Sequence, residues 1–421
     1  MKMMKRFLLL IFLIPLLNIS VSLAQSYDII VKGGHVIDPK NQIDETMDVG
    51  IKDGKIALVA KNIDSGQAVQ VVNASGHYVI PGIIDMHTHN FFGTEPGNYL
   101  RNSFYALPPD GFTFRTGVTT VVDTGSAGWK SFPTFKEQTI DRAQTRVLAF
   151  LHILGEGMRG GAWAQNLGDM DARQTAIVAR RYRDHIVGIK VAHYAYPEWT
   201  PIDRAIEASS MAGNIPVMID FGSMGFSLEE LVMDKLRPGD IYSHTYGGGG
   251  QGRESIIDPE TGRLRPFVKD AQKRGIIWEV GFGGASFFYD HAIPAIEAGF
   301  YPDVISTDLH GGSMNTAMKD ILNVMGSFIA LGMDLNDVIE AVTWKPAQVI
   351  NREELGHLSA GAEGDLTVLR IRKGEFGFFD PRFRKIKGDT RFECEVTIKA
   401  GRVAYDLNGL SEPLLPFPVS R

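Results

Sequence analysis

The chain has 421 residues, 44% of them hydrophobic and 22% charged, and its 43 basic against 49 acidic side chains leave a net charge of −6. That composition is ordinary for a globular protein and excludes a disordered or fibrous chain, while the acidic balance lacks the basic surplus of a nucleic-acid binder. A single cysteine, Cys394, excludes an internal disulfide framework and any cysteine-rich metal cluster.

Residues 1–24 have a character of their own. Lys2, Lys5 and Arg6 precede an apolar run from Phe7 to Leu17, and Ser22-Leu23-Ala24 offers small residues for cleavage. Positive, apolar, then small is the order of a secretory signal, and the run is shorter than the ~20 residues of a membrane span. The expectation is an exported chain, periplasmic or secreted, with no stable membrane insertion once the signal is removed. A retained N-terminal anchor is the alternative. Removal would take away three positive charges and no acidic ones, leaving a net charge of −9.

From Tyr27 to about Ile80 short strands alternate with tight turns. Residues 48–52, then Asp53-Gly54, then residues 55–59 read as a hairpin, because Asp-Gly supplies the positive φ angles of a two-residue turn. The C-terminal end looks alike: residues 365–370 and 395–399, then Ala400-Gly401 and residues 402–405. Two β-rich flanks this far apart predict one small β-sandwich domain, 25–80 with 355–421, around a domain spanning 81–354. In that middle part apolar runs begin near Ile83, Thr119, Val147, Ile186, Pro216, Asp240, Ile276 and Asp303, about 31 residues apart. A strand with its crossover helix takes ~30 residues, so eight units predict an α/β fold, a (β/α)8 barrel; an open doubly wound sheet is the competitor. Helices are expected over residues 171–185, 201–212 and 316–331. Glycine clusters at 247–250, 281–284 and 311–312 follow proposed strands, where a barrel carries its catalytic loops.

The chemistry-bearing residues fall at those strand ends. In Pro81-Gly-Ile-Ile-Asp-Met-His-Thr-His89, His87 and His89 sit two apart, so a strand points both imidazoles one way, and imidazole suits zinc, iron and nickel. Lys190 lies inside the apolar run 186–193, where burying an ammonium is costly. A neutral amine there can add carbon dioxide and become a bridging carboxylate; a snorkelling or acid-paired lysine is the alternative. His244 ends a sixth run before the glycine cluster, and Asp308 ends the eighth. An aspartate in that place is either a helix cap or, beside a metal, a ligand and proton acceptor.

Taken together, residues 81–89, 117–128, 187–191, 242–248, 306–313 and 361–369 resemble the amidohydrolase superfamily, and within it the dihydroorotase-like amidohydrolase/deacetylase group, over nearly the whole mature chain. The resemblance implies one or two divalent metals, zinc being the expected ion, held by His87, His89, an N6-carboxylated Lys190, His244 and Asp308. At the fifth strand the family pattern carries histidine, whereas this chain has Asp220. Asp220 either ligates as a harder oxygen donor or stays behind His244 and orients it; ligation is the expectation. The implied activity is hydrolysis of an acyl amide or ester with Asp308 as catalytic base, on a small acylated substrate. A dihydroorotase-like cyclic amidase and a non-catalytic exported small-acid binding protein are the alternatives. Glu156, Arg159, His152, His193 and His310 lie near strand ends and could contact a carboxylate or acyl chain. Self-association into a homo-oligomer is left open by the sequence.

Two other motifs fail on inspection. Residues 124–128, 221–225 and 311–315 each miss one glycine of the Gly-x-Ser-x-Gly nucleophile elbow. Gly247–Gly252 fits Gly-x-Gly-x-x-Gly, but Pro259 and the absence of helical periodicity after it argue for a substrate or lid loop rather than a dinucleotide site.

Overall fold

The computed structural model describes residues 26–93, 106–220, 227–248 and 253–412. The signal-like segment 1–24, the elbow-like residues 221–225 and Gly249–Gly252 lie outside the described residues.

Strand β1 (Tyr27–Asp38) pairs antiparallel with β2 (Ile43–Lys52), which turns through Asp53-Gly54 into β3 (Lys55–Ala60). Both turn residues take positive φ, 51° and 74°, so the turn twists with the strands it joins. β4 (Ala68–Asn73) and β5 (Tyr78–Pro81) then run parallel to β1.

Seven parallel strands follow: β6 (Ile83–Thr88), β7 (Val118–Gly128), β8 (Arg146–His152), β9 (Ile186–Ala192), β10 (Val217–Asp220), β11 (Ile241–Tyr242) and β12 (Ile277–Trp278), each hydrogen-bonded to the next. The eighth apolar run closes the cylinder without a full ladder. Val280 N donates to Val304 O (3.0 Å) and Gly283 N to Thr307 O (2.9 Å) on one side. On the other, His89 N donates to Leu309 O (3.0 Å) and Leu309 N to His87 O (3.2 Å). The fold is therefore the α/β barrel expected from the eightfold spacing. Strand residues in register share a face, so Met218, Lys190 and His152 line one wall together. Below them an apolar plug of Ile84, Met86, Val122, Phe150 and Ile241 fills the interior.

Helices begin where a carboxylate can hold their first amides. Asp171 accepts from Gln174 N ahead of Ala172–Arg181, and Asp320 from Asn323 N ahead of Ile321–Ala330. The second helix starts five residues later than its sequence predicts. Lys319 takes a left-handed φ of 61°, which helix interiors exclude, and the Asp320 cap fixes the boundary after it.

The C-terminal strands return to the first sheet. β13 (Leu366–Phe379) pairs with β5 and with β14 (Lys385–Lys399), which turns through Ala400-Gly401 (φ 48° and 70°) into β15 (Arg402–Asp406). β16 (Ser411–Glu412) adds to β4. The order is β15-β14-β13-β5-β1-β2-β3. The two hairpin turns meet at Gly364, whose N–H donates to Gly54 O (2.8 Å) and whose carbonyl accepts from Gly401 N (2.9 Å). The long β13–β14 ribbon beyond Arg370 exceeds the strands read from sequence, because its polar half alternates charged and apolar residues weakly.

Polar bonds join this sheet to the barrel. Thr367 Oγ1 donates to Gly117 O (2.7 Å), Thr397 Oγ1 to Phe114 O (2.6 Å), and the Arg146 guanidinium to Glu363 (2.8 Å) and to Asp365. Among the described residues no helix is long and apolar enough to cross a membrane. Arg146→Ala removes the guanidinium shared by Glu363 and Asp365, which are left with Lys55 and with Lys399 (3.3 Å) as their remaining cationic partners. The expected cost is about 2 kcal/mol, read as a lower urea midpoint at unchanged slope.

Candidate metal centre and active site

The C-terminal ends of the barrel strands gather the residues singled out by sequence. His87, His89 and Asp308 form one group of potential ligands, and His87, Asp220 and His244 a second, each with its donor atoms within 4.8 Å of one another and all buried. Asp308 Oδ1 lies 3.1 Å from His89 Nε2 and 3.6 Å from His87 Nε2. Asp220 Oδ1 lies 3.2 Å from His244 Nε2, and its Oδ2 3.4 Å from Lys190 Nζ. Lys190 is fully buried, its amine also 3.3 Å from Met218 Sδ. All six sequence candidates thus converge, Asp220 among them.

Neighbours aim each imidazole. His244 Nδ1 donates to Gly281 O (2.6 Å), which directs Nε2 toward Asp220. His87 Nδ1 lies 3.3 Å from Glu279 Oε1, and Glu279 in turn accepts from Ser243 Oγ (2.6 Å) and from Ser306 Oγ. His89 Nδ1 meets Ser126 Oγ at 3.1 Å. Carboxylates and carbonyls behind histidine ligands fix their tautomer in this way. His87 Nε2 is buried with no hydrogen-bond partner. An orphaned lone pair between two carboxylates is a donor set that a divalent cation satisfies, and the imidazole–carboxylate mixture suits zinc-like ions.

The electrostatics agree. Burial, with Lys190 nearby, lowers the His87 imidazole, and burial lowers His89 to about 4, so both are neutral and able to ligate. Burial works to raise the Asp220 carboxyl, but His244, Lys190 and His193 hold it well below the usual carboxylate range. Asp308 is likewise lowered against its burial, by His87, His89 and His310. Glu279, buried yet beside His87, falls to about 2. His244 rises against the pull of burial because Asp220 faces it.

Backbone strain marks the same place. His244 (φ 59°), Asp308 (φ 52°) and His193 (φ 58°) all take left-handed conformations at strand ends, a cost of order 1–3 kcal/mol each, which clusters at active sites. Gly281 (φ 45°) is required for room as well: a Cβ there would stand 2.7 Å from His244 Nδ1 and 3.0 Å from His87 Nδ1.

The secondary candidates divide. His193 Nε2 is 4.0 Å from Asp220 Oδ2 and His310 Nε2 3.8 Å from Asp308 Oδ2, both flanking the centre. His152 stands in the barrel wall opposite Lys190. Glu156 and Arg159, in the loop after β8, instead engage neighbouring loop residues: Glu156 pairs with Lys130 after β7 (3.2 Å), and Arg159 covers the Trp163 ring at 4.3 Å. Glu279, Ser126 and Ser243 escaped the sequence reading as partners of the histidines, and Gly281 was read only as one of a cluster of loop glycines. For Glu279 a signal existed, an acid inside the apolar run 276–280, of the same kind that singled out Lys190.

Known proteins share this arrangement of chain. Residues 288–404 match the profile of the amidohydrolase family. The chain is 32% identical to a deacetylase of Brucella anthropi over 336 residues, 78% of this chain and 80% of that protein. It is also 32% identical to a deacetylase of Agrobacterium fabrum over 326 residues, 76% and 77% of the two chains. In structure it superposes on a crystal structure of an adenine deaminase with a TM-score of 0.80 at 26% identity, covering 90% of this chain and all of the other. A dihydroorotase crystal structure gives 0.76 at 27% identity, covering 89% and 98%.

Because Glu279 fixes the His87 ring, Glu279→Gln should weaken retention of divalent metal by about 10–100-fold. Equilibrium dialysis with elemental analysis measures it, and unchanged retention would remove Glu279 from that role.

Proposed function

The chain belongs to the amidohydrolase superfamily, and from that premise we propose that it is an exported, zinc-dependent deacetylase that hydrolyses the acyl amide or ester bond of a small acylated acid. What carries the reading is the pair of buried ligand groups that share His87, with its Nε2 orphaned between them. The two similar deacetylases favour acyl transfer to water over cyclic-amide opening. Export rests on the positive, apolar and small order of residues 1–24.

His87, His89 and Asp308 would hold one ion and Asp220 and His244 would help to hold a second, with Lys190, once N6-carboxylated, as a further ligand. The bound ions supply Lewis acidity, polarising the acyl carbonyl and making an attacking water more acidic. Asp308 accepts the proton of that water and returns it to the leaving nitrogen or oxygen. Its depressed basicity does not prevent this, since a general base needs position first and less basicity is required of it as the water becomes more acidic. His244, clamped by Gly281 O, holds its Nε2 toward Asp220. The apolar plug under the site excludes water from below, so the reacting carbonyl meets fixed dipoles instead of solvent.

Asp308→Asn keeps an oxygen donor but removes the base. It should leave metal content largely intact and cut turnover by about two to four powers of ten; normal turnover would refute the assignment. Asp220→Ala should reduce bound metal from two ions toward one per chain, measured by elemental analysis of protein purified from metal-rich medium. Retention of two would place Asp220 outside the ligand set. A screen of N-acyl and O-acyl acids against the zinc-loaded enzyme tests the substrate class, and failure on all of them with cleavage of cyclic amides would overturn it. N-terminal sequencing of the exported product tests removal of residues 1–24.

A further inference from the structure

His152 closes β8 and is 1% exposed. Its Nδ1 accepts the Leu154 N–H at 3.0 Å, so the ring proton resides on Nε2. Nε2 is buried and has no partner. Leaving a buried N–H unsatisfied is costly, so an acceptor belongs beside it.

Lys190 is the register partner of His152 on β9, and its charge, with those of His193 and Asp220, acts on the ring. Gly125 makes room for both side chains at once: a Cβ there would lie 3.1 Å from His152 Cδ2, the atom next to Nε2, and 2.7 Å from Lys190 Cγ. Bulk water does not reach an atom buried in the wall. Addition of carbon dioxide to the neighbouring lysine creates an acceptor inside it.

We propose that His152 is the positioning residue for carboxylation of Lys190, its Nε2–H donating to an oxygen of the carbamate. The inference rests on the carboxylated-lysine reading above. In the step itself the neutral Nζ lone pair attacks the carbon of CO2 and an N–C bond forms. One C=O electron pair moves onto oxygen, and the displaced N–H proton leaves to buffer. His152 neither gains nor loses a proton; it stabilises the new carboxylate and turns it toward the ligand groups.

The test is carbon-13 NMR of the zinc enzyme, stripped and reloaded across a series of 13C-bicarbonate concentrations. His152→Phe keeps a flat ring without the donor and should raise the bicarbonate needed for half the carbamate signal by about tenfold or more. His152→Gln, which returns an N–H near the Nε2 position, should recover most of that loss. Wild-type bicarbonate dependence in His152→Phe, or a Gln variant as impaired as Phe, overturns the proposal while leaving carboxylation standing. A wild-type enzyme without the signal, or a signal that survives Lys190→Ala, overturns the carboxylation reading and this inference with it. In the unsubstituted protein the His152 Nε2–H proton should shift downfield as bicarbonate is added, and no shift overturns the proposal without any variant having to fold.

Discussion

The meeting of the first and eighth strand segments is the constraint on which the rest depends. Leu309 exchanges backbone bonds with His87 and His89, and Asp85 accepts from Thr307 N at 3.1 Å. These few bonds bring a histidine pair and an aspartate, over two hundred residues apart, to within hydrogen-bond distance. An open sheet with the same strands would leave Asp308 at one edge and His89 at the other. Closure is thin here because residues 303–309 carry the catalytic turn: a left-handed Asp308 cannot continue a ladder, so the strand sacrifices pairing to aim its carboxylate.

A second constraint is charge. The site concentrates Asp220, Asp308 and Glu279 with three imidazoles and one lysine in a volume without bulk water. Burying any one of these alone would be costly. The arrangement separates the roles by shell. Glu279 and Gly281 O engage the outer ring nitrogens of His87 and His244, while the inner nitrogens face Asp308 and Asp220. Burial keeps His87 and His89 neutral, so the inner face presents lone pairs opposite carboxylates. Asp220 in the fifth-strand place adds a carboxylate to the site, and it faces His244, Lys190 and His193.

Much of this was legible from residues alone. Eight apolar runs at barrel spacing located all eight strand segments, because parallel strands buried on both faces read as unbroken hydrophobic runs. A polar residue inside or at the end of such a run indicated function at His87, Lys190, His244 and Asp308, while Asp220 was found through the resemblance, as a departure from the histidine of the family pattern. The same rule applied to Glu279 would have found it too. The partners that act through backbone, Gly281 O on His244 and Leu154 N on His152, were not legible, since a carbonyl or amide carries no residue-type signature. Nor were Glu156 and Arg159 separable from His193 and His310, because loop residues near a strand end can turn either way and only packing decides. The left-handed φ angles of His244 and Asp308 belong to the same class, imposed by tertiary closure against local preference.

The contact of the two hairpin turns at Gly364 has a kinetic corollary. β5, which feeds directly into the first barrel strand, is flanked by β1 and by β13, made almost three hundred residues later. During synthesis the early strands therefore expose an unpaired edge until nearly the whole polypeptide has emerged. Such high contact order slows folding, and a chain of this design depends on holdase protection over that interval more than one whose first layer is complete within itself.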